Sequence, residues 1–207
     1  MKLKEIVPHY YSKNILVRVF FWKRLYLAIQ LAQRKLNLDD NLKVIDLGCG
    51  QGIFLGLLEK EFKNIKTFGV DIEPCVLEAK KFLKAKIKIA DIRNSGFPKH
   101  FFDIVFCLDV LEHFKNLEEP IREIKRILKP NGLLVVSLPT ENLFYKLGRF
   151  VARGVTTTKK GPHGPHFHKA KTIEQFLLSN GFKVVEKKLL PPIPFFILTD
   201  IISFKKK

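Results

Sequence analysis

The stretch that decides the fold of this 207-residue chain runs from Val44 to Gly52 and reads Val-Ile-Asp-Leu-Gly-Cys-Gly-Gln-Gly. Residues 44–47 are apolar apart from Asp46, a pattern that is typical of a short buried strand. Glycines follow at alternate positions, and apolar residues then recur at helical spacing. Those apolar residues are Phe54, Leu55, Leu58 and Phe62. The stretch therefore predicts a strand, a glycine turn and a helix in direct succession.

The glycine turn is suited to binding a ligand through its backbone. Glycine adopts dihedral angles that other residues avoid, and it lets a ligand approach the bare main chain. The free N–H groups at the start of the following helix attract an anion such as a carboxylate or a phosphate. The spacing G-x-G-x-G differs from the dinucleotide motif G-x-G-x-x-G, because Ile53 stands where the third glycine would be. Asp46, just before the glycines, is a further difference from that motif.

Acidic residues end the next two predicted strands. Residues 67–70 are followed by Asp71, and residues 87–90 are followed by Asp91. An acid at the end of the second strand is placed to bond the hydroxyl pair of a ribose, and capping of the next helix is the structural alternative. Parallel strands joined by helices present their carboxyl ends at one edge of the sheet. We therefore expect both acids to lie near the glycine turn.

Strands and helices alternate along the chain, which predicts a single α/β domain with a doubly wound sheet. Residues 42–207 form this domain, and residues 1–41 form an N-terminal helical cap around a helix at 12–36. Thr172 and Gln175 form a capping-box pattern at the start of the last helix, and Gly181 marks its end. The other predicted elements are a helix opened by Pro74, a strand at 102–108, a helix with Leu117, Ile121, Ile124 and Leu128 on one face, a turn at 129–132, and strands at 133–138, 182–190 and within 193–204.

Residues 139–171 lack clear periodicity and contain His163, His166 and His168. A stretch of this length without secondary structure usually forms a lid or a substrate loop. The spacing of the three histidines raises the question of a metal site, but no cysteine or paired acid accompanies them. We therefore expect a loop that closes over a pocket, and no metal ion.

The formal net charge of +17 is unevenly distributed. Lys and Arg outnumber Asp and Glu by nine to three in residues 1–43 and by thirteen to three in residues 146–207, but only by fifteen to fourteen in residues 44–145. The basic flanks favour an anionic partner, either a membrane surface or a nucleic acid. A Lys-rich solvated surface is the alternative. Neither flank contains the ~20 uncharged apolar residues that a spanning helix needs.

The cysteines and the N-terminus indicate the cellular compartment. Cys49, Cys75 and Cys107 are odd in number and form no C-x-x-C motif, which argues against a disulfide framework and for a reducing environment. The N-terminus has no uncharged apolar segment of the kind found in signal peptides. We therefore expect a cytoplasmic protein, with a peripheral position at the membrane as a second expectation.

Three segments together resemble the class I S-adenosylmethionine (SAM) dependent methyltransferases. Residues 44–52 resemble motif I of that family. Residues 102–108, followed by Asp-Val-Leu-Glu-His at 109–113, resemble the motif IV region of its small-molecule, ubiquinone-biosynthesis-like group. The segment Leu-Lys-Pro-Asn-Gly-Leu-Leu at 128–134 resembles the family's entry to the fifth strand. The resemblance covers roughly residues 42–190 and implies a Rossmann-like seven-stranded sheet, mostly parallel, with an antiparallel last strand.

The resemblance also implies that SAM is the cofactor and assigns residues to it. Asp46 would lie near the methionyl amino group, and Leu108 next to the methionyl end. The backbone of Gly48, Cys49 and Gly50 would lie against the methionine moiety. Asp71 would hold the ribose, with Ile72 beside the adenine and Asp91 and Ile92 flanking it.

Methyl transfer from a sulfonium is an in-line displacement, so its rate depends mainly on holding the reacting atoms in line. A general base is needed only when the acceptor is protonated. The candidate bases are His113, His166 and His168, and local packing is the alternative for His113. The family resemblance favours a small or lipid-like acceptor, which the basic flanks would admit from an anionic membrane.

Three other functions remain as alternatives. A nucleic-acid methyltransferase fits the charge, but residues 108–113 lack the Asn/Asp-Pro-Pro-Phe/Tyr motif of amino-methylating enzymes. Cytosine-C5 enzymes need a nucleophilic cysteine after a Pro or Thr, whereas Cys107 lies inside a predicted strand and Cys49 in the glycine turn. RNA 2′-O-methylation is less strongly opposed. The chain could also be a non-catalytic SAM-binding protein at a membrane. A nicotinamide-dependent reductase is disfavoured by Ile53.

Overall fold

A computed structural model describes residues 10, 13–36, 41–140, 165–191 and 199–206. Seven strands form one sheet in the order β3-β2-β1-β4-β5-β7-β6. The elements in chain order are α1 (Ile15–Leu36), β1 (Lys43–Leu47), α2 (Ile53–Glu61), β2 (Lys66–Asp71), α3 (Val76–Ala79), β3 (Lys86–Ile89), a 3₁₀ helix (Ile92–Asn94), β4 (Phe102–Leu108), a second 3₁₀ helix (Leu111–His113), α4 (Glu118–Ile127), β5 (Leu128–Pro139), α5 (Ala170–Ser179), β6 (Phe182–Leu190) and β7 (Thr199–Lys206).

The sheet is parallel over β1 to β5 and antiparallel at β7. Strand β1 pairs in parallel with β2 and β4, and β3 and β5 extend the parallel part on either side. Strand β7 lies between β5 and β6 and is antiparallel to both. The predicted doubly wound sheet with an antiparallel last strand is therefore confirmed. The carboxyl ends of the parallel strands share one edge of the sheet, where ligands bind in such folds.

Both faces of the sheet are covered, as the alternation of side chains along the strands requires. Ile45 and Val105 point to the face that packs against α4 and α5. Their neighbours Val44 and Ile104 point to the opposite face, which packs against α1 and α2. Burying such side chains on both faces contributes about 1.5–3 kcal/mol each, so the central strands fix the framework that carries the site.

The N-terminal helix α1 is part of this packing. Ala28 and Ala32 on α1 are fully buried in the same cluster as Val135 of β5 and Ile201 of β7. The helix starts at Ile15 rather than at the predicted residue 12, because the Asn14 side chain accepts a hydrogen bond from the Leu16 N–H at 3.0 Å. No helix among the described residues is long and apolar enough to cross a membrane.

Two predicted local features differ in the structure. Helix α5 begins at Ala170, and the Thr172 N–H donates to the Lys169 carbonyl, so Thr172 lies in the first turn and does not cap the helix. The predicted turn at 129–132 lies within β5, where Asn131 has a φ of 60° and the pairing with β4 shifts register. Most of the predicted loop, residues 141–164, lies outside the described part of the chain.

Candidate active site

The glycine turn after β1 is held against the end of β2. The N–H groups of Gly48 and Cys49 both donate to the Val70 carbonyl, at 2.7 and 3.1 Å. The Gly52 N–H donates to the Cys49 carbonyl at 2.8 Å. The φ angles of Gly48, Gly50 and Gly52 are 80°, 48° and 73°, in the left-handed region that favours glycine. The turn therefore has a defined shape that other residues would strain.

The three glycines meet different surroundings. A Cβ atom on Gly48 would lie 2.4 Å from the Val110 side chain, and one on Gly52 would lie 2.6 Å from Leu83. A Cβ atom on Gly50 would have no atom within 4 Å. Gly48 and Gly52 are thus required by packing, whereas Gly50 faces open space at the carboxyl edge of the sheet. That open space leaves room for a ligand beside the backbone of the turn.

Asp71, at the end of β2, holds the turn in place. Its Oδ2 accepts the Gly50 N–H at 2.7 Å, and its Oδ1 accepts the Glu73 N–H at 2.9 Å. A carboxylate has about four lone-pair sites, so these two bonds leave capacity for hydroxyl groups of a ligand. The structure therefore places the predicted ribose-binding acid directly beside Gly50.

Asp46 is a buried acid beneath the turn, with 3% of its surface exposed. Burial and the nearby Asp71 carboxylate raise its pKa to about 7, although Arg24 acts in the opposite direction. Among the described residues its Oδ1 has no hydrogen-bond partner. A buried carboxyl oxygen in this state is stabilised by a cationic ligand group, such as an ammonium.

Arg24 of α1 reaches this edge of the sheet, which the sequence analysis did not predict. It forms an ion pair with Asp109, the residue after β4, and donates to the Tyr10 hydroxyl at 2.9 Å. Asp109 has a φ of 56°, and its carboxylate accepts the Ser137 hydroxyl at 2.5 Å. The network ties α1, β4 and β5 together behind the glycine turn.

The residues predicted to surround the adenine lie at the ends of β2 and β3, and Leu108, predicted next to the methionyl end, lies at the end of β4. Ile72 is 63% exposed and presents an apolar surface beside Asp71. Asp91 binds the Arg93 guanidinium and backbone, and the side-chain bond from Arg93 lowers its pKa. Ile92 differs from the expectation, because its side chain is 5% exposed and packs in the core. Leu108 is half-buried at the end of β4.

Two of the predicted histidines come together. The rings of His113 and His166 have centroids 4.8 Å apart, in an edge-to-face arrangement. Buried Glu112 lies with them, and one ligand atom from each of the three residues falls within 4.8 Å of the others. We refer to this set as the Glu112–His113–His166 cluster. His168 bonds the Lys115 carbonyl instead, at 3.1 Å, and His163 lies outside the described residues.

The sequence pattern around residues 163–168 does not point to Glu112, because this acid lies 54 positions before His166 along the chain. A histidine that directly follows Glu112 at the end of a predicted strand was the available signal, since ends of parallel strands converge.

These features define a Rossmann-like protein that binds a nucleotide-containing ligand at the carboxyl edge of its sheet. A glycine turn follows β1, an acid follows each of β2 and β3, and β7 is antiparallel. Gly50 faces open space and Asp46 carries an oxygen suited to an ammonium.

Known proteins resemble this chain in sequence or in fold. A family model described as a methyltransferase domain matches residues 21–187. The uncharacterized protein MJ0638 of Methanocaldococcus jannaschii is 31% identical over 98% of this chain and 84% of its own. Ubiquinone biosynthesis O-methyltransferase of Bradyrhizobium diazoefficiens is 30% identical over 78% of this chain and 66% of its own. The structure of magnesium protoporphyrin IX methyltransferase (ChlM) from Synechocystis PCC 6803 with bound SAH has a TM-score of 0.65 and 21% identity, over 95% of this chain and 89% of that one.

The family model covers most of the chain, so the chain belongs to the methyltransferase domain family and is a class I SAM-dependent methyltransferase. The residues present fit the cofactor. SAM carries an ammonium that suits Asp46, a ribose that suits Asp71 and an adenine that suits exposed Ile72. The predicted class, cofactor and enzyme activity are therefore confirmed.

Proposed function

We propose that this enzyme methylates a hydroxyl oxygen on a small or lipid-like acceptor. The observation that carries the proposal is the Glu112–His113–His166 cluster at the carboxyl end of β4. Val110 lies two residues before Glu112, and its side chain packs so close to Gly48 that a Cβ atom there would clash with it. The cluster is therefore next to the turn that we assign to the methionine moiety. A hydroxyl acceptor needs help in losing its proton, and imidazole and carboxylate groups give that help.

The chain's own residues act mainly by holding the reactants. Asp46 binds the methionyl ammonium, Asp71 binds the ribose, and the open face of Gly50 lets the cofactor lie against the backbone. SAM supplies a methyl group on a positively charged sulfur that is a good leaving group. Alignment of the acceptor oxygen with this group supplies most of the rate enhancement, because orientation alone can contribute about 7–11 kcal/mol.

The Glu112–His113–His166 cluster accepts the proton that the acceptor hydroxyl loses. The Pro165 carbonyl lies 3.2 Å from His113 Nδ1, so this nitrogen carries a hydrogen and donates it. The lone pair of that ring is then on Nε2. In the proposed reaction a bond forms between the acceptor oxygen and the methyl carbon, and the C–S bond breaks with its electrons on sulfur. The hydroxyl proton passes through the cluster to solvent.

The cysteines support an acceptor other than cytosine. Burial raises the pKa of Cys107, of Cys49 and of Cys75, with nearby acids acting in the same direction. The three thiols are therefore protonated near neutral pH, and a protonated thiol is a poor nucleophile. The 30% identity with a ubiquinone biosynthesis O-methyltransferase supports oxygen as the methylated atom.

We also propose that an anionic membrane delivers the acceptor. Three apolar side chains at the start of α1, Ile15, Leu16 and Val19, are 53%, 76% and 49% exposed. Arg18 and Lys13 are exposed beside them. Apolar side chains among cations suit a surface of anionic lipid. Sedimentation with vesicles tests this: retention by anionic but not neutral vesicles, lost in Leu16→Glu, is expected, and equal retention by both would contradict it.

Calorimetric titration with SAM, S-adenosylhomocysteine and NADH is the first test. We expect the two adenosyl ligands to bind and NADH not to bind. Asp71→Asn should weaken SAM binding, whereas Asp103→Asn, at the amino end of β4, is the control and should leave it unchanged. No SAM binding by folded protein would overturn the cofactor assignments.

An acceptor screen follows, with hydroxylated quinone precursors and extracted lipids first and RNA second. His166→Ala should lower turnover on the acceptor that is found, by about 100-fold or more if the cluster supplies proton removal, and should leave SAM binding intact. Unchanged turnover would contradict the role of the cluster in proton removal. Turnover on RNA alone would favour the nucleic-acid alternative.

A further inference from the structure

The Glu112–His113–His166 cluster has the composition of a metal site as well as that of an acid–base site. We infer that these three side chains bind a divalent transition-metal cation, for which Zn²⁺ is the probe. One carboxylate and two imidazoles are a common ligand set for Zn²⁺ and for other divalent transition metals. The three ligand atoms already lie within 4.8 Å of one another.

The spacing of the ligand atoms is close to that of a filled site. Zn²⁺ binds imidazole nitrogen and carboxylate oxygen at about 2.0–2.2 Å, so its ligand atoms lie roughly 3–4 Å apart. The observed limit of 4.8 Å therefore requires the ligand atoms to approach by about 1–2 Å at most. Small rotations of the two imidazole side chains supply such a shift without movement of the backbone.

Backbone hydrogen bonds bring the two halves of the cluster together. The Phe167 N–H donates to the Glu112 carbonyl at 2.7 Å. His113 Nδ1 donates to the Pro165 carbonyl at 3.2 Å, and His168 Nε2 donates to the Lys115 carbonyl at 3.1 Å. The chain on either side of His166 is thus fixed to the chain around His113, so the cluster is held in place before any ligand arrives.

One of these bonds has a direct bearing on metal binding. Histidines that bind a metal usually donate their other ring N–H to a carbonyl or a carboxylate, which fixes the tautomer and the orientation of the ring. His113 makes this bond to the Pro165 carbonyl through Nδ1. In the neutral ring the lone pair is then on Nε2, which is the nitrogen that would bind a cation.

The burial of Glu112 also supports the binding of a cation. Its surface is only 1% exposed, and a carboxylate withdrawn from water is stabilised by a cation bound to it. The cluster therefore offers a doubly charged cation a buried carboxylate ligand.

Three protein ligands leave at least one coordination position open, as in catalytic rather than structural zinc sites. We infer that the acceptor hydroxyl occupies it, an assignment that rests on the proposed function. A cation lowers the pKa of an oxygen bound to it, so the hydroxyl proton is released to water and the oxygen becomes the nucleophile. The acceptor class is then a hydroxyl compound whose oxygen reaches the cluster beside Val110.

The test uses untagged, EDTA-dialysed full-length protein under a thiol-free reductant, titrated with Zn²⁺ in the absence of SAM. Binding of one Zn²⁺ per chain is expected, and Co²⁺ should give visible absorption bands typical of a low-coordinate site. His166→Ala should weaken Zn²⁺ binding by at least about 100-fold, more than the loss caused by removing an outer-shell partner. Glu112→Gln should act in the same direction.

His100→Ala is the control, since His100 is exposed at the amino end of β4, away from the cluster. It should bind Zn²⁺ within about tenfold of the parent protein. Absence of stoichiometric binding to folded parent protein, or equal binding by His166→Ala, overturns the metal site. SAM binding is measured separately. If the protein binds SAM but not Zn²⁺, the cofactor assignments stand and the histidines act as bases without a metal.

Discussion

Arg24 and Asp109 lie 85 positions apart in the chain and form an ion pair behind the glycine turn. Arg24 is almost fully buried, and Asp109 is held at a φ of 56° while its carboxylate also accepts the Ser137 hydroxyl. The pair joins the N-terminal helix to the segment that leads into the Glu112–His113–His166 cluster. It therefore links α1 to the segment between β4 and the cluster.

Replacing Arg24 by Met should lower the free energy of unfolding. Breaking a fully buried ion pair costs about 3–5 kcal/mol. Because the Asp109 side chain is 29% exposed, water compensates part of the loss, and about 2–3 kcal/mol is the expected effect. Urea unfolding measures it, with Lys23→Met on the exposed face of the same helix as the control. Equal midpoints for the two variants would contradict the role of the pair.

The stability of the cofactor-free protein should fall as pH rises from about 4 to about 7, because of Asp46. Its pKa is raised from 3.8 to about 7 in the folded state, so in this window the folded state holds a proton that the unfolded state has lost. At roughly 1.4 kcal/mol per pH unit, the parent protein should lose about 4 kcal/mol relative to Asp46→Asn. Denaturant titrations of both proteins across this pH range measure the difference. A difference that stays constant or grows in the parent's favour would falsify this prediction.

SAM binding should release a proton below neutral pH. At about pH 6, one unit below its pKa, Asp46 is mostly protonated, and an ammonium placed beside it favours the ionised form. Calorimetry in two buffers with different ionisation enthalpies should give a release of close to one proton at about pH 6 and little above about pH 8. Asp46→Asn should remove the pH 6 release. A parent protein that binds SAM with no proton release at pH 6 would rule out contact between the ammonium and Asp46.

Gly50→Ala and Gly52→Ala should separate binding from folding. A Cβ at Gly50 meets open space, so we expect a stability loss of about 1–2 kcal/mol from the left-handed backbone alone, together with weaker SAM binding. A Cβ at Gly52 lies 2.6 Å from Leu83, so we expect a larger loss, of about 2–4 kcal/mol. Urea unfolding and SAM titration of both variants provide the check. Normal SAM binding by Gly50→Ala would contradict the assignment of the cofactor to this turn.

The sequence predicted those parts of the fold that depend on neighbouring residues. The strand at 44–47, the glycine turn after it and the position of Asp71 at the end of the second strand agree with the structure, because alternation and helical spacing are local patterns. The ligand-binding roles of Asp46 and Asp71 stay predictions. The boundaries of β4 and β6 agree with the predicted ones for the same reason.

Contacts between distant segments were not predictable from such patterns. The start of α5 at Ala170, rather than beside Thr172, follows a segment fixed in place by the bond from the Phe167 N–H to the Glu112 carbonyl. Arg24 is one cation among several on α1, and nothing in its local sequence distinguishes it from exposed Lys23. Only the packing of α1 against the sheet selects Arg24 for Asp109.

The position of β7 between β5 and β6 has a consequence for synthesis on the ribosome. Strand β6 is synthesised first, and its neighbour in the sheet, β7, ends 16 residues later. At about 5–20 residues per second, β7 is complete roughly 1–3 s after β6. Because β7 lies between β5 and β6, neither strand has its partner on that side until then, so the last step of sheet formation comes after the cofactor-binding half has been synthesised.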